Sequence, residues 1–94
     1  SRSSQLFHKL WPQYLTELEQ ALAQDNLDEY KSVAHKLKGA AGSVGLLKVQ
    51  QLAKVMEDKA LESSKEQLVQ WIELLPVQIK EGLDALQEYL TKIS

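Results

Sequence analysis

Residues 30–45 read YKSVAHKLKGAAGSVG, and the spacing of their apolar side chains decides how this part of the chain folds. Apolar residues recur every three or four positions, which is the period of one face of an α-helix. They are Tyr30, Ala34, Leu37, Ala41 and Val44. The stretch therefore predicts an amphipathic helix with one buried face, and His35 falls away from that face, toward solvent.

The outward face around His35 carries one cation and two residues without side chains. Lys38, Gly39 and Gly42 follow His35 by three, four and seven positions, so they share its side of the helix. Each glycine costs a helix about 1 kcal/mol relative to alanine. Two such losses beside one exposed imidazole predict that a large partner docks closely over it. Close packing against another helix is the alternative explanation for the two glycines.

Composition narrows the class of protein. The chain has 94 residues, 44% of them hydrophobic and 26% charged, which predicts one compact soluble domain over residues 1–94. A net charge of −2 argues against general nucleic-acid binding, and the absence of cysteine excludes disulfides and zinc–thiolate sites. No apolar stretch approaches the roughly 20 residues that span a bilayer. We expect a cytoplasmic domain that contacts neither nucleic acid nor membrane.

The same helical period covers the segments on either side of this helix. Before it, leucines and a tyrosine recur every fourth residue from Leu6 to Leu22, and the pattern runs through Pro12, which predicts a kinked helix. Asn26 with Glu29 forms an N-terminal capping signature for the helix that carries His35. Gly45 suits the left-handed residue that ends it.

Two further helices follow. Apolar residues from Leu46 to Ala60 predict the third, and an apolar stripe from Leu68 to Ile93 predicts the fourth, with Ser63 and Glu66 as its capping signature. No segment alternates with period two for long enough to form a strand. Helices joined by such short turns pack as antiparallel neighbours, so the sequence predicts an all-α, up-down-up-down four-helix bundle that is complete as a monomer.

His35 is the candidate for chemistry, and Lys38 one turn away can hold phosphoryl oxygens as a point charge. His8 lies near the start of the chain, where a peripheral structural role is expected. Metal sites in helical bundles place a glutamate three residues before a histidine, and neither histidine has one, so we expect no metal site. The glycines after His35 lack the Gly-Lys-Ser/Thr ending of a phosphate-binding loop, so the sequence shows no ATP site.

The run His35-Lys36-Leu37-Lys38-Gly39, followed by small residues and Gly45-Leu46, resembles the signature of histidine-containing phosphotransfer (HPt) domains. These domains are four-helix bundles that relay a phosphoryl group in bacterial two-component pathways. Residues 35–52 are most similar to the HPt modules of anaerobic-respiration hybrid sensor kinases. Longer relatives have an additional N-terminal helix, which we expect this chain to lack.

The resemblance implies a role for each residue of the motif. His35 is the phospho-acceptor, Lys38 stabilises the phosphoryl group, and Gly39 gives the docking receiver domain clearance. We further expect Lys36, Gly42 and Ser43 to contact that partner. The expected partners are response-regulator receiver domains and a hybrid sensor histidine kinase in cis or in trans. The domain is then a phosphoryl carrier and not an enzyme, without a cofactor of its own, because the receiver supplies Mg²⁺.

One residue departs from the pattern of these relatives. They carry a glutamine on the third helix, facing the histidine, and the matching position here is Glu57. Because a carboxylate cannot donate the hydrogen bond of an amide and repels a phosphoryl group, we do not expect Glu57 to take over that role.

Two other functions fit the sequence. One is a helical adaptor that binds a partner helix through Gly39 and Gly42 without covalent chemistry. The other is the dimerisation and phospho-acceptor domain of a histidine kinase. Such a domain contributes two helices per chain and has an acidic residue directly after its histidine, whereas Lys36 follows His35 here.

Overall fold

Four helices make up the fold. The computed structural model describes the backbone of residues 2–93 and the side chains of residues 5–93. The helices are α1 (Arg2–Ala23), α2 (Leu27–Ser43), α3 (Leu47–Lys59) and α4 (Lys65–Ile93), and a short 3-10 turn, Ala60–Glu62, follows α3. Within the described range there is no strand. The predicted all-α four-helix bundle is confirmed, and its monomeric state stays a prediction.

Each helix packs against two neighbours around a shared core. α1 contacts α2 and α4, and α3 contacts the same two helices from the other side. The predicted apolar edge of α2 is buried as expected, with Val44 only partly covered. The largest fully buried side chains are Leu18, Tyr30, Val33, Leu37, Val49, Met56, Leu68, Leu75 and Ile79.

Tyr30 ties α2 to α4 across this core. Its hydroxyl donates a hydrogen bond to the backbone carbonyl of Leu68, with an O–O distance of 3.2 Å. Burial raises the pKa of Tyr30 well above its ordinary value, because the phenolate would lose its hydration. The hydroxyl therefore stays protonated and keeps donating. This contact links the first turns of α2 and α4 inside the core.

The turns follow the sequence signals with one exception. The Asn26 side chain accepts a hydrogen bond from the Glu29 backbone N–H at 3.1 Å, and Gly45 has a φ of +79°, as a left-handed C-terminal residue should. The prediction that Ser63 caps the last helix is wrong by one residue. Ser64 accepts from the Gln67 N–H at 3.1 Å, whereas the Ser63 hydroxyl donates back to the Lys59 carbonyl at 2.7 Å.

The proline predicted to lie within the first helix does so, and the last helix also contains one. Pro12 is inside α1 and Pro76 is inside α4, and both helices continue past them. At about 1.5 Å per residue, the 29 residues of α4 extend well beyond the 13 residues of α3. The C-terminal part of its apolar stripe is therefore only partly covered, and Ile93 is exposed. Among the described residues, no helix has the length and apolar character needed to cross a membrane.

Candidate functional site

The site lies where the outward face of α2 meets the edge of α3. His35 and Lys38 are one turn apart on α2, and Glu57 comes from α3. The packing of these two helices brings them together, because Leu37 of α2 and Met56 of α3 are both fully buried. Glu57 directly follows Met56, so it lies at the rim of the packed surface and reaches across to α2.

Glu57 contacts both functional side chains of α2, one with each carboxylate oxygen. Its Oε2 lies 2.8 Å from Nδ1 of His35, and its Oε1 lies 2.8 Å from Nζ of Lys38. The imidazole is 65% exposed, whereas the Lys38 and Glu57 side chains are 27% and 21% exposed. The lysine and the carboxylate are thus held against the protein while the ring projects into solvent.

The hydrogen bond from Lys38 lowers the pKa of Glu57 below its ordinary value, and the hydrogen bond and charge of His35 lower it further. Partial desolvation of the carboxyl group raises the pKa, but this effect does not cancel the decrease. Glu57 is therefore ionised at neutral pH, and an ionised carboxylate can only accept hydrogen bonds. It follows that Nδ1 of His35 carries the proton in this contact. The second ring nitrogen, Nε2, is the one left for other chemistry.

The two glycines beside His35 have different surroundings. A Cβ added at Gly39 would meet nothing within 4 Å, so the space above this position is open. A Cβ added at Gly42 would collide with the side-chain amide of Gln50 on α3. Gly42 therefore lies against a side chain of the neighbouring helix that would have to shift for a Cβ, whereas Gly39 faces open space.

The remaining predicted contact residues lie on the same surface. Lys36 and Ser43 are both exposed on α2, and the Ser43 hydroxyl donates to the Ala40 carbonyl at 2.8 Å. His8 lies outside this cluster, in a groove between the first turns of α1 and the end of α4. The structure thus brings together His35, Lys38 and Glu57, with Gly39 beside them, and does not bring His8 to the site.

The sequence predicts only part of the role of Glu57. It predicts the position of Glu57 opposite His35, but it does not predict that the carboxylate accepts hydrogen bonds from both His35 and Lys38. The expectation that it cannot donate as a glutamine amide would is consistent with the geometry, since it accepts from both partners. The signal in the sequence was the pairing of a carboxylate on α3 with a lysine one turn after the histidine.

Comparison with known proteins places this site in a family. The family model described as Hpt domain matches residues 3–89, which is almost the whole chain. The chain belongs to the Hpt domain family. His35 lies within the matched range, on the second helix of the bundle and on the face that the fold leaves open to solvent.

Curated relatives agree with this family. The chain is 31% identical over 87 residues to the aerobic respiration control sensor protein ArcB of Escherichia coli strain K12, and equally to that of Shigella flexneri. The match covers 93% of this chain but only 11% of each relative's length. No solved structure matches the chain significantly.

Membership of the Hpt family decides between the functions that the sequence left open. The domain is a histidine phosphotransfer module of two-component signalling. The resemblance to HPt modules of anaerobic-respiration hybrid sensor kinases is consistent with these relatives, which are sensor proteins of aerobic respiration control. Neither the adaptor nor the kinase dimerisation domain receives comparable support.

Proposed function

We propose that His35 accepts a phosphoryl group from the aspartyl phosphate of a receiver domain and passes it to the aspartate of a response regulator. The observation that carries this proposal is the exposed imidazole with only one of its ring nitrogens engaged. In the forward step, the Nε2 lone pair attacks phosphorus and the P–O bond to the aspartate breaks. The electron pair of that bond leaves with the carboxylate.

Lys38 stabilises the transferred group in this proposal. Its ammonium has three N–H donors, and the contact with Glu57 uses one of them. The other two can donate to phosphoryl oxygens one helical turn from the imidazole. Because Lys38 is mostly covered and anchored by Glu57, it reaches this position without a large loss of side-chain entropy.

The partner docks over Gly39, where the structure leaves open space beside the imidazole. Lys36 and Ser43 are exposed on the same helix and would contact the partner at the edge of the interface. Gly42 would contribute through bare backbone, although its packing against Gln50 limits how much of it a partner can reach.

Magnesium belongs to the receiver domain in this proposal. Among the described residues, no group of three or more histidine and acidic side chains is placed to hold a metal ion. The receiver would supply both the metal ion and the phosphorylated aspartate. The carrier then contributes the nucleophile, the lysine and the docking surface.

The relatives suggest the setting in which this domain works. They are sensor proteins, and the chain corresponds to about a tenth of their length. We propose that the domain exchanges phosphoryl groups with a hybrid sensor kinase, as part of the same polypeptide or in trans, on the cytoplasmic side of the membrane.

Phosphoryl transfer between purified proteins tests the proposal. A receiver domain carrying radiolabelled aspartyl phosphate is mixed with the chain, and the label is followed by gel electrophoresis. We expect label on the chain that is lost in acid and retained in base, and that moves on to a second, unlabelled receiver. A chain that takes no label from any receiver of a hybrid sensor kinase would contradict the proposed function.

A further inference from the structure

The docking residues expected from the sequence all lie on α2, but the structure has a second row of side chains beside the imidazole, on α3. This row, the α3 rim, consists of Lys54, Glu57 and Leu61, of which the first and the last are exposed. We infer that a receiver domain docks on the α3 rim as well as on α2, with Lys54 as its charged contact and Leu61 as its apolar contact. The inference deepens the proposed function and rests on it.

Two contacts show which side of α3 faces α2. Glu57, which follows a fully buried methionine, reaches the imidazole of α2. Gln50, which follows a buried valine, lies against Gly42 of α2. Lys54 and Leu61 each follow a fully buried alanine in the same way, one helical turn before and one turn after Glu57. They therefore lie on the α2 side of α3.

The register of the two helices brings both residues close to the imidazole. The seven positions back along α3 from Glu57 to Gln50 correspond to seven positions forward along α2, so the two helices run antiparallel. Lys54 is therefore level with the open space above Gly39. Leu61 is level with the turn that precedes the histidine, and the 3-10 turn that carries it contacts α2.

The size of a protein interface extends any docked partner onto this row. A specific interface covers about 800 Å² on each partner, which corresponds to a disc of about 16 Å radius. Packed helices lie about 8–10 Å apart, and three or four residues of helix span about 5–6 Å. The backbones of Lys54 and Leu61 are thus about 9–12 Å from that of His35, inside the disc. A partner centred on the imidazole covers the α3 rim.

Lys54 offers this partner a positive charge that the fold does not use. Among the described residues its ammonium is in no ion pair, whereas that of Lys38 is held by Glu57. A receiver that carries an aspartyl phosphate brings negative charge to the imidazole, so an unpaired lysine beside the open space is complementary to it. The whole chain has a net charge of −2, so the attraction belongs to this surface and not to the protein as a whole.

Leu61 offers the apolar contact. Its 66% exposure is the largest among the exposed large hydrophobic side chains of the described residues. Covering this side chain removes apolar surface from water and so stabilises the docked complex. Because Lys54 and Leu61 lie on opposite sides of the imidazole along the helix axis, the two contacts also restrict the rotation of the partner over it. The aspartyl phosphate then meets Nε2 of His35 in one orientation.

Amide chemical-shift mapping tests the surface without any transfer step. The ¹⁵N-labelled chain is titrated with the unphosphorylated receiver domain of a hybrid sensor kinase. We expect the amide signals of Lys54 and Leu61 to shift together with those around His35, and those of Lys80 and Leu74 on α4 to stay in place. Shifts that spare the α3 rim would overturn the inference. Shifts of the rim that appear when the chain alone is concentrated would assign it to a second copy and would also overturn the inference.

Transfer rates test the two contacts separately. Lys54→Ala should be loaded by a phosphorylated receiver up to about fivefold more slowly at low salt, and the difference should shrink as salt is added. Leu61→Ser should be loaded about tenfold more slowly at a subsaturating receiver concentration, with little dependence on salt. Phosphoramidate is a small donor that needs no docking surface, so it should load both variants at the wild-type rate.

Matched controls and the second donor separate the outcomes. Lys80→Ala and Leu74→Ser remove an exposed lysine and an exposed leucine from α4 and should behave as the wild type with both donors. Wild-type loading of Lys54→Ala or Leu61→Ser by the receiver would overturn the contact assigned to that residue, and slower loading by phosphoramidate as well would show a damaged site instead of lost docking. A wild-type chain that no receiver loads would overturn the proposed function, while the titration still decides whether a receiver contacts the α3 rim.

Discussion

The two histidines of the chain have similar positions on their own helices but different contacts with the neighbouring helix. His8 and His35 are both exposed on a helix, and each is directly followed by a lysine. Among the described residues, however, His8 makes no hydrogen bond or ion pair, and it lies in a groove with Leu86 and Leu90. His35 faces Glu57, which holds its ring from the neighbouring helix.

This difference shows that the site is created by the packing of α2 against α3 rather than by a helical histidine alone. A carboxylate across the helix pair decides the tautomer of His35, and a lysine one turn away completes the contact. The groove around His8 lies between α1 and α4, and Asp84 and Gln87 line it beside several leucines. Among the described residues, neither of these two polar side chains makes a hydrogen bond with His8.

Replacement of the two histidines is the test with the largest expected effect. His35→Gln should lose all acid-labile phosphate after incubation with a phosphorylated receiver, because glutamine has no nucleophilic ring nitrogen. His8→Gln should retain the wild-type level. Label that persists in His35→Gln and disappears in His8→Gln would show that His8, and not His35, accepts the phosphoryl group.

Substitution of Gly39 tests whether the open space beside His35 is used by a partner. Gly39→Gln fills that space, so transfer from a receiver should fall at least about tenfold, the loss that corresponds to 1.4 kcal/mol of binding. Loading by phosphoramidate should remain unchanged, since this donor does not dock.

The control for Gly39→Gln is its stability. Glutamine has the higher helix propensity, so the variant should unfold at the same or a slightly higher temperature than the wild type. Normal transfer from a receiver, measured in a stable Gly39→Gln variant, would show that a docked partner does not need this clearance.

The fold could be predicted from the sequence because helical periodicity is a local property. The apolar edge of α2, the cap at Asn26 and the left-handed Gly45 all depend on residues a few positions apart. Ser63 and Ser64 are adjacent and equally suited to cap a helix, so the sequence could not decide which of them does. The partial exposure of the end of α4 depends on the shorter length of its neighbours.

Only the part of the site that lies on α2 could be predicted from the sequence. The spacing of His35, Lys38 and Gly39 on one face is fixed by the helix itself. Glu57 and Gln50 come from α3, and their contacts depend on how α3 is rotated against α2. For that reason the sequence grouped Gly42 with Gly39 on an open surface, whereas the structure covers Gly42 with Gln50.

The two glycines therefore provide a third test, through stability. Gly39→Ala should raise the free energy of unfolding by about 0.5–1 kcal/mol, because alanine favours the helix and its Cβ meets open space. Gly42→Ala should gain less, since the Gln50 amide has to move away from the new methyl group. Urea denaturation of both variants measures the difference, and an equal gain at the two positions would show that Gln50 does not restrict Gly42.

The smallest expected effect is the pH dependence of the contact between the two helices. The pKa of Glu57 is lowered in the folded protein by Lys38 and His35, so its contribution to stability is present above the ordinary carboxyl value and is lost as the pH falls through the lowered value. A partly exposed ion pair of this kind contributes about 0.2–1 kcal/mol. Wild type should therefore exceed Glu57→Gln by that amount at pH 7, and the difference should disappear as the pH falls below the ordinary carboxyl value and through the lowered pKa of Glu57. Urea denaturation of both proteins between pH 7 and pH 3 measures the difference. Glu73→Gln, at an exposed carboxylate of α4, is the control and should show no such convergence with the wild type. A gap between wild type and Glu57→Gln that stays constant from pH 7 to pH 3 would mean that the charge of Glu57 does not hold α3 to the His35 face.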